Sequence, residues 1–156
     1  MTARELQKAI AADLTDLFKD RQYTTPSGEP AAIKAFRQQL PKRKSDDDDE
    51  PFPYIIVRLD SGGIENQTAS HKVAVLLLIG IYDDSPENTG HDAVMEIIEV
   101  IQQHYQENPF LQNGEFKYTD PFNWALQDEE SYPYFFGAAN LVWEATAPRR
   151  KVSKYT

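Results

Sequence analysis

The sequence predicts an α+β fold: an antiparallel or mixed sheet of four to five strands with two main helices packed on it. Three observations lead there. The run Lys72-Val-Ala-Val-Leu-Leu-Leu-Ile-Gly-Ile-Tyr82 is rich in β-branched residues and too short to cross a bilayer as a helix. Two other stretches, 3–19 and 89–107, carry apolar residues at helical spacing. The last third of the chain is aromatic and alternates like strands.

The first helix is signalled by Thr2 and Glu5, which match a capping box, and by the stripe Leu6, Ile10, Leu14, Leu17 and Phe18. Lys8, Asp13, Asp16 and Lys19 occupy its other side. Pro26, Gly28 and Pro30 make the next segment a loop. Residues 31–40 read two ways: Ile33, Phe36 and Leu40 fit a short helix, which propensity favours, and a flanking strand is the alternative. Pro41 ends the segment in either case.

Pro51-Phe-Pro53 imposes extended backbone on Tyr54-Ile-Ile-Val-Arg-Leu59, a strand that Asp60-Ser-Gly-Gly63 is expected to turn. The apolar run 72–82 follows. Val73, Val75, Leu77, Ile79 and Ile81 share one face, and Ala74, Leu76, Leu78 and Tyr82 share the other, the pattern of a strand hidden on both sides. Residues 83–88 stop it, and Thr89 with Asp92 offers a cap for the main helix. On that helix Val94, Ile97, Ile98, Ile101 and Tyr105 face the sheet. The opposite sheet face then needs the N-terminal helix or another subunit to cover it. Asn108-Pro109 closes the helix, and Phe116-Lys-Tyr118, 121–126 and 134–145 read as strands, the last two joined as a hairpin by an acidic turn at 127–131.

At 156 residues the chain is one domain by length, taken here as 1–148, with a basic C-terminal tail at 149–156. The absence of cysteine excludes disulfides, thiolate nucleophiles and cysteine-ligated metals. No signal peptide or membrane span is read from the pattern. A formal charge of −9 argues against a general nucleic-acid surface, since phosphates would be repelled. Charge is nevertheless clustered. Asp46, Asp47, Asp48, Asp49 and Glu50 form an acidic block within a loop expected to be flexible over 42–50, and Arg149, Arg150 and Lys151 open the basic tail. Both clusters read as solvated segments, with docking segments that order on assembly as the other reading.

Residues bearing chemistry are scarce. His91 and His104 lie thirteen positions apart on one helix, on different faces, and cannot share a metal. Glu96 and Glu99 sit on a polar helix face rather than in a pocket that would separate their pKa values. Ser61-Gly-Gly63 lacks the lysine and spacing of a P-loop, and no nucleophile elbow occurs. The late aromatics, from Phe116 and Tyr118 to Tyr134, Phe135 and Phe136, neighbour Asp120, Asp128, Glu129 and Glu130 rather than lysines, so they read as core and protein interface instead of a base-stacking platform.

The N-terminal amphipathic helix, the Phe52-Pro-Tyr-Ile-Ile-Val-Arg-Leu59 segment, the strand ending Ile79-Gly-Ile-Tyr-Asp83, the capped helix with His91-Asp-Ala-Val-Met-Glu-Ile-Ile98 and the aromatic hairpin together resemble the tail-terminator or tail-completion proteins of long-tailed bacteriophages, over roughly residues 1–146. The resemblance implies a small α+β subunit, without cofactor or enzymatic activity, that forms a homohexameric ring on the tail tube, ends tube polymerisation and presents the head-joining surface. Its implied partners are copies of itself, the tail tube protein and the head–tail connector. DNA would pass through the ring without specific binding, no membrane would be involved, and the protein would be made in the host cytoplasm and reside in the virion. The acidic block 46–50 is then a candidate for flanking the lumen, and the basic tail from Arg149 for reaching a neighbour. Another neck protein of a phage, and a small-molecule-binding or catalytic α+β domain, are the alternatives.

Overall fold

The computed structural model describes residues 2–42, 50–66 and 68–145. Elements follow in the order α1 (Ala3–Leu17), β1 (Lys34–Arg37), β2 (Tyr54–Gly63), β3 (His71–Tyr82), α2 (Gly90–Glu107), β4 (Phe110–Leu111), β5 (Phe116–Leu126) and β6 (Tyr134–Ala145). One mixed sheet of six strands, ordered β1-β2-β3-β6-β5-β4, carries both helices. The α+β class holds, with six strands rather than four to five.

The extra strands arise where local signals are weak. Residues 34–37 are a strand parallel to β2, Lys34 beside Tyr54 and Arg37 beside Val57, and not the helix that propensity favours. Tertiary pairing with β2 and contact with α1 outweigh an intrinsic preference worth only tenths of a kcal/mol per residue. The two-residue β4 pairs Phe110 with Lys117 and Leu111 with Phe116, too briefly to leave a periodic trace. Residues 60–63 do not turn the chain. They prolong β2 through a register shift between Leu59 and Ser61, and the reversal comes later, before His71. The 116–118 and 121–126 segments are one strand, irregular between Thr119 and Asn123.

The helix starts differ in chemistry. Thr2 caps α1 as expected, its Oγ1 accepting from the Glu5 N–H at 3.2 Å. Thr89 makes no such bond to α2, and its hydroxyl donates to Asp83 Oδ2 at 3.4 Å.

The core lies between the helices and one face of the sheet. Leu6, Ile10 and Leu14 from α1, Phe18 at its C-cap, and Val94, Ile97, Ile98, Ile101 and Tyr105 from α2 belong to one buried cluster with Val73, Val75, Leu77, Ile79 and Ile81 of β3. Ile55 and Val57 of β2, Phe116 and Tyr118 of β5, and Ala139, Leu141 and Trp143 of β6 belong to it as well. Gly137 lets α2 approach the sheet: a Cβ there would stand 2.5 Å from Val94 Cγ1. The helices also touch each other, His104 Nε2 meeting Asp13 Oδ2 at 2.9 Å, and Arg21 in the segment after α1 donates to Glu96 at 3.0 Å. Gln7, almost fully buried, ties α1 to the β1–β2 corner by donating to Val57 O at 2.8 Å and Gln38 Oε1 at 2.9 Å while accepting from Arg37. Helix α1 therefore shares a face with α2 and does not cover the other side of the sheet.

Candidate assembly surface

Period-two alternation puts the residues between the core positions on the opposite face, where no helix lies among the described residues. On β3 these are Ala74, Leu76, Leu78 and Tyr82, all half-buried. Register places Val142, Ala138 and Phe136 of β6 beside Ala74, Leu78 and Gly80, and Ile56 and Tyr54 of β2 beside Leu78 and Gly80. The strand expected to be hidden on both sides is thus covered by helices on one side only. Its second apolar face is a stripe across the middle of the sheet, half-buried on β3 and β6 and buried at Tyr54 and Ile56 of β2.

One end of that stripe is aromatic. Phe52 stands 5.1 Å from Tyr54, 4.9 Å from Tyr134 and 6.0 Å from Phe136, and Tyr82 lies 5.6 Å from Tyr134. Gly80 is required beneath them, since a Cβ would collide with the Tyr54 ring. Tyr134 donates its hydroxyl to Glu50 at 2.7 Å, so Glu50 borders the aromatic group. Tyr132, nearly half exposed, donates to Asp84 O at 2.6 Å. At the far end, residues 61–65 together with Ala69, Ser70, Lys72, Ala74, Val142 and Glu144 line a groove of about 620 Å³. Lys72 and Glu144 approach there to 3.9 Å.

Of the acidic block and the start of the basic tail, only Glu50 is placed. Asp46, Asp47, Asp48 and Asp49, and Arg149, Arg150 and Lys151, lie outside the described residues. The late aromatics divide: Phe116 and Tyr118 enter the core, Tyr134 and Phe136 lie on the uncovered face, and Trp124 is 50 % exposed on β5. Phe52, flanked by Pro51 and Pro53, was the contributor missed; it lies over the uncovered face against Tyr54, Tyr134 and Phe136.

The electrostatics are those of a surface. Burial raises the Tyr54 and Tyr82 phenols above their ordinary value, with Asp84 adding to the effect at Tyr82. Tyr105 is raised further by burial and by the facing Asp13 carboxylate, which His104 engages while the phenol stays outside hydrogen-bonding geometry. Burial thus holds these phenols protonated well past neutral pH. Among the described residues no group of histidines and carboxylates is arranged to hold a metal, and no helix is long and apolar enough to cross a membrane. No protein-family model matches the chain, and no curated protein matches it in sequence.

Proposed function

We propose that this chain is a structural subunit of a multi-protein assembly, and specifically the ring-forming tail terminator of a long-tailed bacteriophage. One observation carries the reading: both helices lie on the same side of the sheet, leaving Leu76, Leu78, Ala138 and Val142 on a face with no helix of its own. An apolar sheet face rimmed by charged loops suits a protein partner, and burying it would recover the hydrophobic free energy that the isolated subunit forgoes. In this reading the tube end is the partner that covers the face, and a closed ring of copies leaves no open sheet edges. The net charge of −9 suits a ring that DNA traverses without sticking. In this reading the homohexamer caps the tube, stops its growth and offers the head-joining surface to the connector, no reaction is catalysed, and the protein ends in the virion.

Native mass spectrometry over a wide concentration range, with and without isolated tail tubes, tests the reading. A discrete six-fold species that binds tube ends supports it. Binding to connector or portal rings in preference to tubes would instead favour another neck protein. The 620 Å³ groove beside Lys72 and Glu144 favours the remaining alternative, a small-molecule-binding domain. A ligand that raises the melting temperature while the chain stays monomeric would replace the ring reading with that one.

A further inference from the structure

The two edges of the sheet differ in charge and shape. At one edge β1 has no strand beyond it among the described residues, and Lys34, Arg37 and Lys42 are the only charges in residues 31–42. At the other, β4 covers only Phe116 and Lys117 of β5, so the outer side of β5 from Thr119 to Leu126 has no strand against it among the described residues. Residues 107–131 around that edge carry six carboxylates and a single lysine. Pro121 lacks an N–H and disqualifies the first half of the open stretch, a common protection of edge strands. Asn123–Leu126 remains, four residues facing a four-residue β1. In its midst Trp124 is half exposed although it stands beside the buried Ala139.

We infer that the β1 edge of one copy pairs with the Asn123–Leu126 edge of β5 in a second copy, joining subunits head to tail into a continuous sheet. The partner rests on the ring reading above, and the inference goes on to say which surfaces meet. Opposite, non-identical edges make a heterologous contact, the kind that closes into rings. Strand directions agree: β1 runs with β2, against β3, and β5 runs against β6, so β1 and β5 are antipodal in direction and a rotation axis along the strands brings them together antiparallel. Side chains match as well. Ala35 and Arg37 share the helix side of the sheet with Trp124, which gives the indole a small neighbour and a guanidinium for its face. Lys34 shares the other side with Asn123 and Ala125. The basic edge meets the acidic one, and main-chain hydrogen bonds supply the attachment.

The chain contains no cysteine, so it is its own background for cross-linking. Within one copy Lys34 and Ala125 are separated by β2, β3 and β6, about 19 Å across four strand spacings, beyond the reach of a disulfide. The full-length double variants Lys34→Cys/Ala125→Cys and Lys34→Cys/Asn123→Cys are oxidised and run on non-reducing gels, with each single variant as control. At least one double variant should give a ladder of dimer, trimer and larger species, while single variants stop at dimer. In parallel, Trp124→Glu should raise the concentration needed for assembly at least tenfold with its melting temperature unchanged, and high salt should weaken assembly of the wild type. Absence of a ladder from both double variants overturns the edge pairing, whether or not light scattering finds oligomers. Oligomers without a ladder leave the ring reading standing and this contact refuted. A ladder that never closes at a discrete size upholds the contact and refutes the terminator.

Discussion

Leu76 and Leu77 are adjacent in β3, of identical composition, and on opposite faces of the sheet, so truncating each in turn measures how bare the second face is. Leu77 is 0 % exposed, flanked by Val57 and Ala139 and capped by the helices. Leu77→Ala removes fully buried methyl groups and leaves a cavity that rigid neighbours cannot close, a cost of about 3 kcal/mol. Leu76 is half-buried with no helix above it. Leu76→Ala loses part of its transfer free energy and opens no cavity, a cost of about 1 kcal/mol. Urea unfolding at a protein concentration low enough to keep the chain monomeric reads the difference. With a slope of about 2 kcal/mol per molar, the midpoint should fall by about 1.5 M for Leu77→Ala and about 0.5 M for Leu76→Ala, with the slope itself unchanged. Equal falls in dilute solution would refute the one-sided arrangement of helices and, with it, the observation on which the assembly reading stands.

Four further outcomes are expected. Leu76→Glu should leave the dilute monomer folded by circular dichroism yet abolish binding to tube ends in a pelleting assay; undiminished binding would exclude this face from the contact. Gln7→Ala should lower stability by about 2 kcal/mol in a urea titration, because Val57 O and Gln38 lose a buried donor; a loss under 0.5 kcal/mol would mean that water replaces it. Thr2→Ala should cost about 1 kcal/mol and Thr89→Ala clearly less, since only Thr2 accepts a helical N–H; the reverse order in thermal melts would contradict the capping geometry. Tyr105 binds its proton more tightly when folded, so its contribution to stability is complete below the ordinary phenol value of 10.0 and is lost as pH rises from there towards the folded pKa. Tyr105→Phe should therefore flatten the alkaline limb of stability against pH while costing little at pH 7, and an unaltered limb would place the titration elsewhere.

Strong periodicity made the two helices, β3 and β6 legible in the sequence, because a helix or strand that buries one stripe must repeat its apolar residues at 3.6 or 2. The Thr2 cap was legible for a similar reason, resting on contacts within three residues of chain. At β1 the sequence misled, since Lys34–Arg37 is held extended by a parallel partner twenty residues away and its own propensity points to helix. Thr89 shows the same limit at smaller scale: its hydroxyl donates to Asp83 and does not cap α2, an outcome decided by the folded loop before the helix.

For the surface, the sequence by itself determined that β3 would be apolar on both sides and that the chain's charge would be acidic and clustered. Which side went uncovered was decided by tertiary structure alone. Helix α1 has a single apolar stripe, and nothing in that stripe says whether it will lie beside α2 or across the sheet from it. The choice is made by long-range contacts, Gln7 at the β1–β2 corner and Asp13 against His104, that bind α1 to the same side as α2. Side-chain alternation is a local property of the backbone and can be read along the chain. The assignment of a helix to a face depends on residues thirty to ninety positions apart, and it exists only once they meet.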